Sequence, residues 1–183
     1  MKLYSFALSL LCVVTIASAA SSAELVRVID GDTIVVSEEG KELKVRMAYI
    51  DAPEIKQPYG VLSRVNLWRL LSGQSLSITN RRRDLYRRTL GVVLVNEFHN
   101  INLQMIADGC AWAYRSKRGI YYDTQVEAAE AGKGLWSNGD PEPPWEYRKR
   151  KRKLSVDERF NIQDRQTDLH NAIWALPCDL GVA

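Results

Sequence analysis

The sequence predicts an α+β domain, mainly β with helices: a five-stranded barrel carrying about three helices. Three observations lead there. Five β-branched or alternating runs lie between Leu25 and Val95, each bounded by turn residues. One stretch with helical spacing separates the third run from the fourth. Two shorter helical stretches follow the fifth.

The first run is Leu25, Val26, Val28 and Ile29, and the second is Ile34-Val35-Val36. Asp30-Gly31-Asp32 lies between them, a tight-turn signal. Glu39-Gly40 marks the next turn. From Lys41 to Tyr49 the chain alternates, with Leu43, Val45, Met47 and Tyr49 on one side and Lys44, Arg46 and Ala48 on the other. Asp51-Ala52-Pro53-Glu54 ends this meander, and Pro53 favours extended backbone at Ala52. Val61, Leu62, Val65, Trp68 and Leu71 recur at helical spacing until Ser72-Gly73. Ser75 to Thr79 is the fourth strand, Asn80 to Arg88 a polar, arginine-rich connection, and Leu90 to Val95 the fifth strand. Asn100 suits the N-cap of a helix over Ile101 to Asp108, with Gly109 at its C′ position. Thr124 and Glu127 stand at capping-box spacing, which predicts a last helix from Asp123 or Thr124 to about Ala131. A helix between the third and fourth of five strands is the OB-type topology, common among oligonucleotide binders but not diagnostic of function.

The flanks differ in character. Lys2, the apolar run Phe6 to Ile16 and the small residues Ala17 to Ala23 form a secretory signal peptide over residues 1–23, with cleavage after Ala19, Ala20 or Ala23. The apolar run is short for a membrane span, so no anchor is expected after cleavage, and the location is secreted or periplasmic. The folded domain is expected over 24–147. Residues 148–183 form an extension that opens with the unbroken basic run Arg148 to Lys153. Cys12 leaves with the leader. In an oxidising compartment Cys110 and Cys178 either form one disulfide or remain separate, one in the core and one on the tail.

Net charge is +3, from 25 basic and 22 acidic residues; the leader's one charged residue is Lys2. This weakly basic balance permits a polyanionic partner. The chain has two histidines, His99 and His170, neither near a nucleophilic Ser or Cys nor near the other at ligand spacing. That argues against a Ser-His-Asp hydrolase and a His-rich zinc site. Arg81-Arg82-Arg83 and Arg148 to Lys153 each read either as a solvated face or as a track for a nucleic-acid backbone. Trp112, Trp136 and Trp145 read as core and helix-end anchors rather than stacking platforms.

Chemistry concentrates in four segments: Asp30-Gly31-Asp32-Thr33, Val45-Arg46, Ile50-Asp51-Ala52-Pro53-Glu54, and Asp84-Leu85-Tyr86-Arg87-Arg88. A lone Asp-Gly-Asp is a turn and a lone Asp51 a loop residue. Both, however, sit at the ends of adjacent expected strands. Two carboxylates meeting there with loop carbonyls and water suit a hard cation such as Ca²⁺ or Mg²⁺. Glu54, just past the second carboxylate, can take a proton from an attacking water or orient it. Arg46 and Arg88 can fork onto phosphate oxygens. Cation, arginines and a water-positioning group are what phosphodiester hydrolysis requires.

In this order the segments resemble the staphylococcal nuclease (thermonuclease) family. The matching residues are Val28-Ile29-Asp30-Gly31-Asp32-Thr33, Val45-Arg46, Ile50-Asp51-Ala52-Pro53-Glu54, Gln57-Pro58-Tyr59-Gly60, Asp84-x-Tyr86-x-Arg88-x-Leu90-Gly91 and Gly134-Leu135-Trp136, covering Glu24 to Trp136. The resemblance implies metal ligands at Asp32 and Asp51 and through the main-chain carbonyl of Ala52, a position held by Thr in the family's namesake. It implies a general base at Glu54 and phosphate-binding arginines at Arg46 and Arg88. Tyr86 then falls on a residue that holds the substrate phosphate. Tyr114 corresponds either to a tyrosine that packs on a base or to a core or rim residue of the barrel. The glycine usual between the Tyr and Arg of the fourth segment is Arg87 here, which leaves open whether Arg87 or Arg88 enters the site; Arg88 keeps the register to Leu90-Gly91. Leu85 replaces the namesake's lysine, so one phosphate contact is absent.

The expected function is therefore a secreted endonuclease, dependent on Ca²⁺ or another hard divalent cation. It acts as a monomer on DNA and RNA with low sequence specificity. The resemblance implies Ca²⁺ and endonucleolytic attack by water in line with the departing 5′-oxygen; the residues themselves support only a hard cation. The competing reading is a non-catalytic OB-fold nucleic-acid-binding protein of the cell envelope. The presence of Asp32, Arg46, Asp51, Glu54 and Arg88 together weighs against it.

Overall fold

The computed structural model describes residues 22–84, 88–115 and 117–156. The expectations for residues 1–21 of the leader, for Tyr86 and Arg87 and for Cys178 fall outside the described residues.

Strands β1 (Ala23–Val28), β2 (Thr33–Glu38) and β3 (Lys41–Met47) form an antiparallel meander. After the two-residue strand β4 (Ile50–Asp51) and helix α1 (Gly60–Leu71), β5 (Ser75–Arg83) returns beside β1 and β6 (Thr89–Val95) pairs antiparallel with β5. The parallel pairing of β3 with β6 closes a five-stranded barrel of β1, β2, β3, β5 and β6, the OB-type arrangement. A two-residue strand β7 (His99–Asn100) extends β6 and leads into α2 (Ile101–Ala107). Strand β8 (Trp112–Ala113) pairs with β4, followed by α3 (Ile120–Glu130), a 3₁₀ turn at Gly134–Asn138, and helix α4 at residues 144–156.

Alternation along the strands aims Ile34, Val36, Val45, Leu76 and Val93 into the barrel, where they are fully buried. Leu67 and Leu71, four apart on α1, join the same core, as do Ile101 and Met105 of α2. Each such side chain contributes about 1.5–3 kcal/mol by leaving water. Ala23, expected at the end of the leader, is the first residue of β1 and is completely buried.

Four details differ from the sequence reading. First, β5 runs on through Arg81–Arg83, where a polar connection is expected. A bulge between Thr79 and Arg82, with Asn80 at φ 52°, lets Arg82 and Arg83 pair with Leu90 and Thr89. Ladder hydrogen bonds thus override the poor strand propensity of the arginines. Second, the alternation of the third strand stops at Met47. Tyr49 turns out with φ 67° and is exposed, while Ala48 is buried. Third, α3 begins at Ile120 rather than at Asp123 or Thr124, with no side-chain cap. Tyr121 stacks on Tyr49 at 5.2 Å and its hydroxyl accepts a hydrogen bond from Asn100 Nδ2 at 3.0 Å, so packing draws the first turn into the helix. Fourth, α4 adds a helix to the expected three and crosses the 147/148 boundary expected between domain and extension. Pro144 stands at its first helical position, where a missing N–H costs nothing. Among the described residues no helix is long and apolar enough to cross a membrane.

Candidate active site

Close backbone contacts bring the Asp30–Asp32 turn to the loop after β4. A Cβ at Gly31 would overlap Ser63 Oγ and the Ala52 side chain, so only glycine lets this turn lie against α1 and residue 52. Gly60 serves likewise: its missing Cβ leaves room for the carbonyl of Glu54 against the start of α1. The Met47 N–H donates to the Asp32 carbonyl at 2.8 Å, holding the end of β3 to the same turn. Asn102, fully buried, locks the Ala48–Tyr49 turn that leads to Asp51. Its Nδ2 donates to the carbonyls of Ala48 (2.8 Å) and Gly91 (3.2 Å), and its Oδ1 accepts from the Val93 N–H at 3.0 Å.

The result is a cleft of about 870 Å³ whose lining includes Asp32, Arg46, Asp51, Ala52, Glu54 and Arg88. Asp32 and Asp51 are 4% and 1% exposed, too little for bulk water to solvate either charge. One guanidinium spans them: Arg46 Nη1 lies 2.8 Å from Asp32 Oδ2, and Nη2 lies 3.0 Å from Asp51 Oδ1. Asp32 also accepts from the Ala52 N–H at 2.7 Å and from the Thr33 hydroxyl at 3.0 Å. Burial pushes the Asp32 carboxyl well above the usual carboxylate range, and the neighbouring Arg46 offsets only part of that rise. Glu54 is half-exposed, and its N–H donates to Gln57 Oε1 at 3.2 Å.

Arg88 lies on the rim beyond the parallel β3–β6 pairing that sets Arg46 beside Leu90. Its Nε meets Asp84 Oδ2 at 2.7 Å and its N–H meets Asp84 Oδ1 at 2.9 Å. Tyr114 also lines the cleft, with its ring 6.3 Å from that of Trp145 and the Arg115 guanidinium 5.0 Å above it. Tyr86 lies outside the described residues. Trp112 is buried edge-on against Trp136 at 5.6 Å, an anchor between the β8 strand and the 3₁₀ turn.

The residue that sequence reasoning missed is Arg148. In sequence it reads as the first member of a basic run that is either solvated or a track for a nucleic-acid backbone, yet its guanidinium contacts both Asp51 and Glu54. The signal that could have found it is Pro144-Trp145-x-Tyr147, a helix start carrying two aromatic anchors immediately before the arginine. Arg82, in a stretch that reads either as a solvated face or as a track for a nucleic-acid backbone, lines the cleft, with Nη2 at 3.4 Å from the Tyr49 hydroxyl.

Residues 44–138 match the family model described as staphylococcal nuclease homologue. An uncharacterised endonuclease of Escherichia coli is 41% identical over 134 residues, covering 69% of this chain and 84% of the relative. An uncharacterised endonuclease of Haemophilus influenzae is 38% identical over 162 residues, 85% of this chain and 89% of the relative. A micrococcal nuclease of Shigella flexneri is 38% identical over 138 residues, 69% and 79% respectively. With the barrel topology and a family match spanning more than half its length, the chain belongs to the staphylococcal nuclease family.

Proposed function

We propose that this chain, a nuclease by family, is a secreted or periplasmic, cation-dependent endonuclease. It hydrolyses DNA and RNA with little sequence specificity and acts as a monomer. The observation that carries this reading is the convergence of Asp32, Asp51 and Glu54 with Arg46 on one cleft, with Arg88 at its rim.

The donor set fits a hard cation. Two buried carboxylates lie within reach of one guanidinium, and among the described residues the cleft lining holds no imidazole or thiolate. Among the described residues no group of three or more acidic, His or Cys side chains forms a ready cage. Asp32, Asp51 and the Ala52 carbonyl would therefore hold the ion, with water completing its shell. When bound, Ca²⁺, or Mg²⁺ in its place, supplies charge stabilisation to the phosphoryl oxygens.

This chain's own groups do the rest. Glu54 follows the buried Asp51 by three residues and keeps partial access to water, so its carboxylate orients the attacking water or takes its proton. Arg46 and Arg88 offer planar forks that match phosphate oxygens and gain contact as charge builds there. Tyr86 holds the phosphate, and Tyr114 with Arg115 above it offers a flat face to a base.

The test is cleavage of labelled DNA and RNA with Ca²⁺, with Mg²⁺ and with excess chelator. Activity is expected to vanish in chelator and to return with Ca²⁺. Full activity in excess chelator would overturn the cation reading. Binding without cleavage under every cation would favour the non-catalytic alternative.

A further inference from the structure

We propose that Arg148 is a positioning residue of the active site, which ties the Glu54 carboxylate to Asp51 and contends with the cation for Asp51. This rests on the reading of Glu54 and of the cation site given above.

Arg148 Nη2 lies 2.7 Å from Asp51 Oδ2, and Nη1 lies 3.2 Å from Asp51 Oδ1 and 2.8 Å from Glu54 Oε1. Both oxygens of the buried carboxylate are therefore taken by one fork, and the same fork reaches the half-exposed Glu54. The fork is held from behind by its own helix. Tyr147, buried, donates its hydroxyl to the Lys56 carbonyl at 3.0 Å. Gln57 Nε2 donates to the Glu142 carbonyl at 2.6 Å, while its Oε1 accepts from the Glu54 N–H. Besides the Arg148 fork itself, two hydrogen bonds thus join residues 142–147 to the loop that carries Glu54, and a third holds that loop together. The Arg148 side chain is 39% exposed, against 74% for its neighbour Lys149. A solvated tail residue would resemble the latter.

Charge gives this contact a consequence. Whatever the charge of the rest of the cleft, Arg148 adds one positive charge beside Asp51 and Glu54, which opposes a divalent cation there and favours a phosphodiester. Arg148 therefore weakens the cation somewhat and strengthens the attraction for phosphate, while holding Glu54 at a fixed angle.

Calorimetric Ca²⁺ titration and single-turnover DNA cleavage at saturating Ca²⁺ test this with wild type, Arg148→Met, Arg148→Lys and Arg152→Met. The last removes the same charge from an exposed position of the same helix. Arg148→Met is expected to bind Ca²⁺ about tenfold more tightly, the scale of removing a unit charge a few ångströms from a divalent ion in a wet cleft. Its cleavage rate is expected to fall at least ~10-fold, the low side of what a misplaced reacting group costs. Added methylguanidinium should restore part of that rate, Arg148→Lys should lie between, and Arg152→Met should match wild type in both. The opposite signs matter, because a damaged fold would weaken both quantities. Unchanged or weaker Ca²⁺ binding in both Arg148 variants, or an undiminished rate, would overturn the proposal while leaving the cation reading intact. A wild type that binds no Ca²⁺ and cleaves without it would overturn both.

Discussion

Asn102→Leu is expected to destabilise the domain by about 3 kcal/mol, because the new side chain fills the space and forms none of the hydrogen bonds. Asn102 is fully buried and serves three backbone groups: the Val93 N–H, the Ala48 carbonyl and the Gly91 carbonyl. Gly91 keeps a partner, since its carbonyl also accepts the Ala48 N–H at 2.7 Å. The Val93 N–H and the Ala48 carbonyl lose the Asn102 partner outright, at about 1–3 kcal/mol each. The added apolar surface of leucine returns part of this, leaving about 3 kcal/mol. Urea unfolding followed by tryptophan fluorescence measures it. With a slope of about 2 kcal/mol per molar, the midpoint should fall by about 1.5 M at unchanged slope. A fall under about 0.5 M would refute the assignment of Asn102 as the lock on the turn that leads to Asp51.

Two further outcomes follow from the charges. Burial raises the Asp32 carboxyl, so the folded chain holds that proton more tightly than the unfolded chain, and stability declines as pH rises above the ordinary value of 3.8. Without added cation, Asp32→Asn should therefore be more stable than wild type at pH 7, with a flatter stability profile above pH 4. A less stable variant with an unchanged profile would contradict this. Arg88→Ala should weaken both phosphate binding and turnover, since its guanidinium acts in ground and transition states alike. Arg87→Ala should do much less, and the reverse order in paired binding and single-turnover measurements would show that the register from Leu90-Gly91 was misread.

The barrel was legible because its information is local. Asp-Gly and Glu-Gly turns separate β-branched runs, and Asn100 caps α2 as its sequence suggests, accepting from the Leu103 N–H at 3.1 Å. The same locality explains the errors. The α3 start follows from Tyr121 meeting Tyr49, 72 residues earlier in the chain, and the capping-box spacing carries nothing of that contact. The strand character of Arg81–Arg83 comes from its partner β6 and from the Arg81–Glu38 ion pair rather than from its own side chains. Within the candidate site, Asp32, Arg46, Asp51 and Glu54 were readable because each ends or follows a strand in a meander whose order fixes their neighbours. Arg148 was not, because 94 residues separate it from Glu54 and a run of six basic residues masks the one that turns inward.

The most direct measurement is the single-turnover rate of DNA cleavage by Glu54→Gln beside wild type, at fixed salt with saturating Ca²⁺. Glutamine keeps the size and an acceptor oxygen for Arg148 but removes the charge that a base requires. The rate should fall by at least ~10²-fold, the low end for loss of a general base, while the Kd for DNA changes little. Cleavage by Glu54→Gln at the wild-type rate would contradict the assignment of Glu54 to the attacking water.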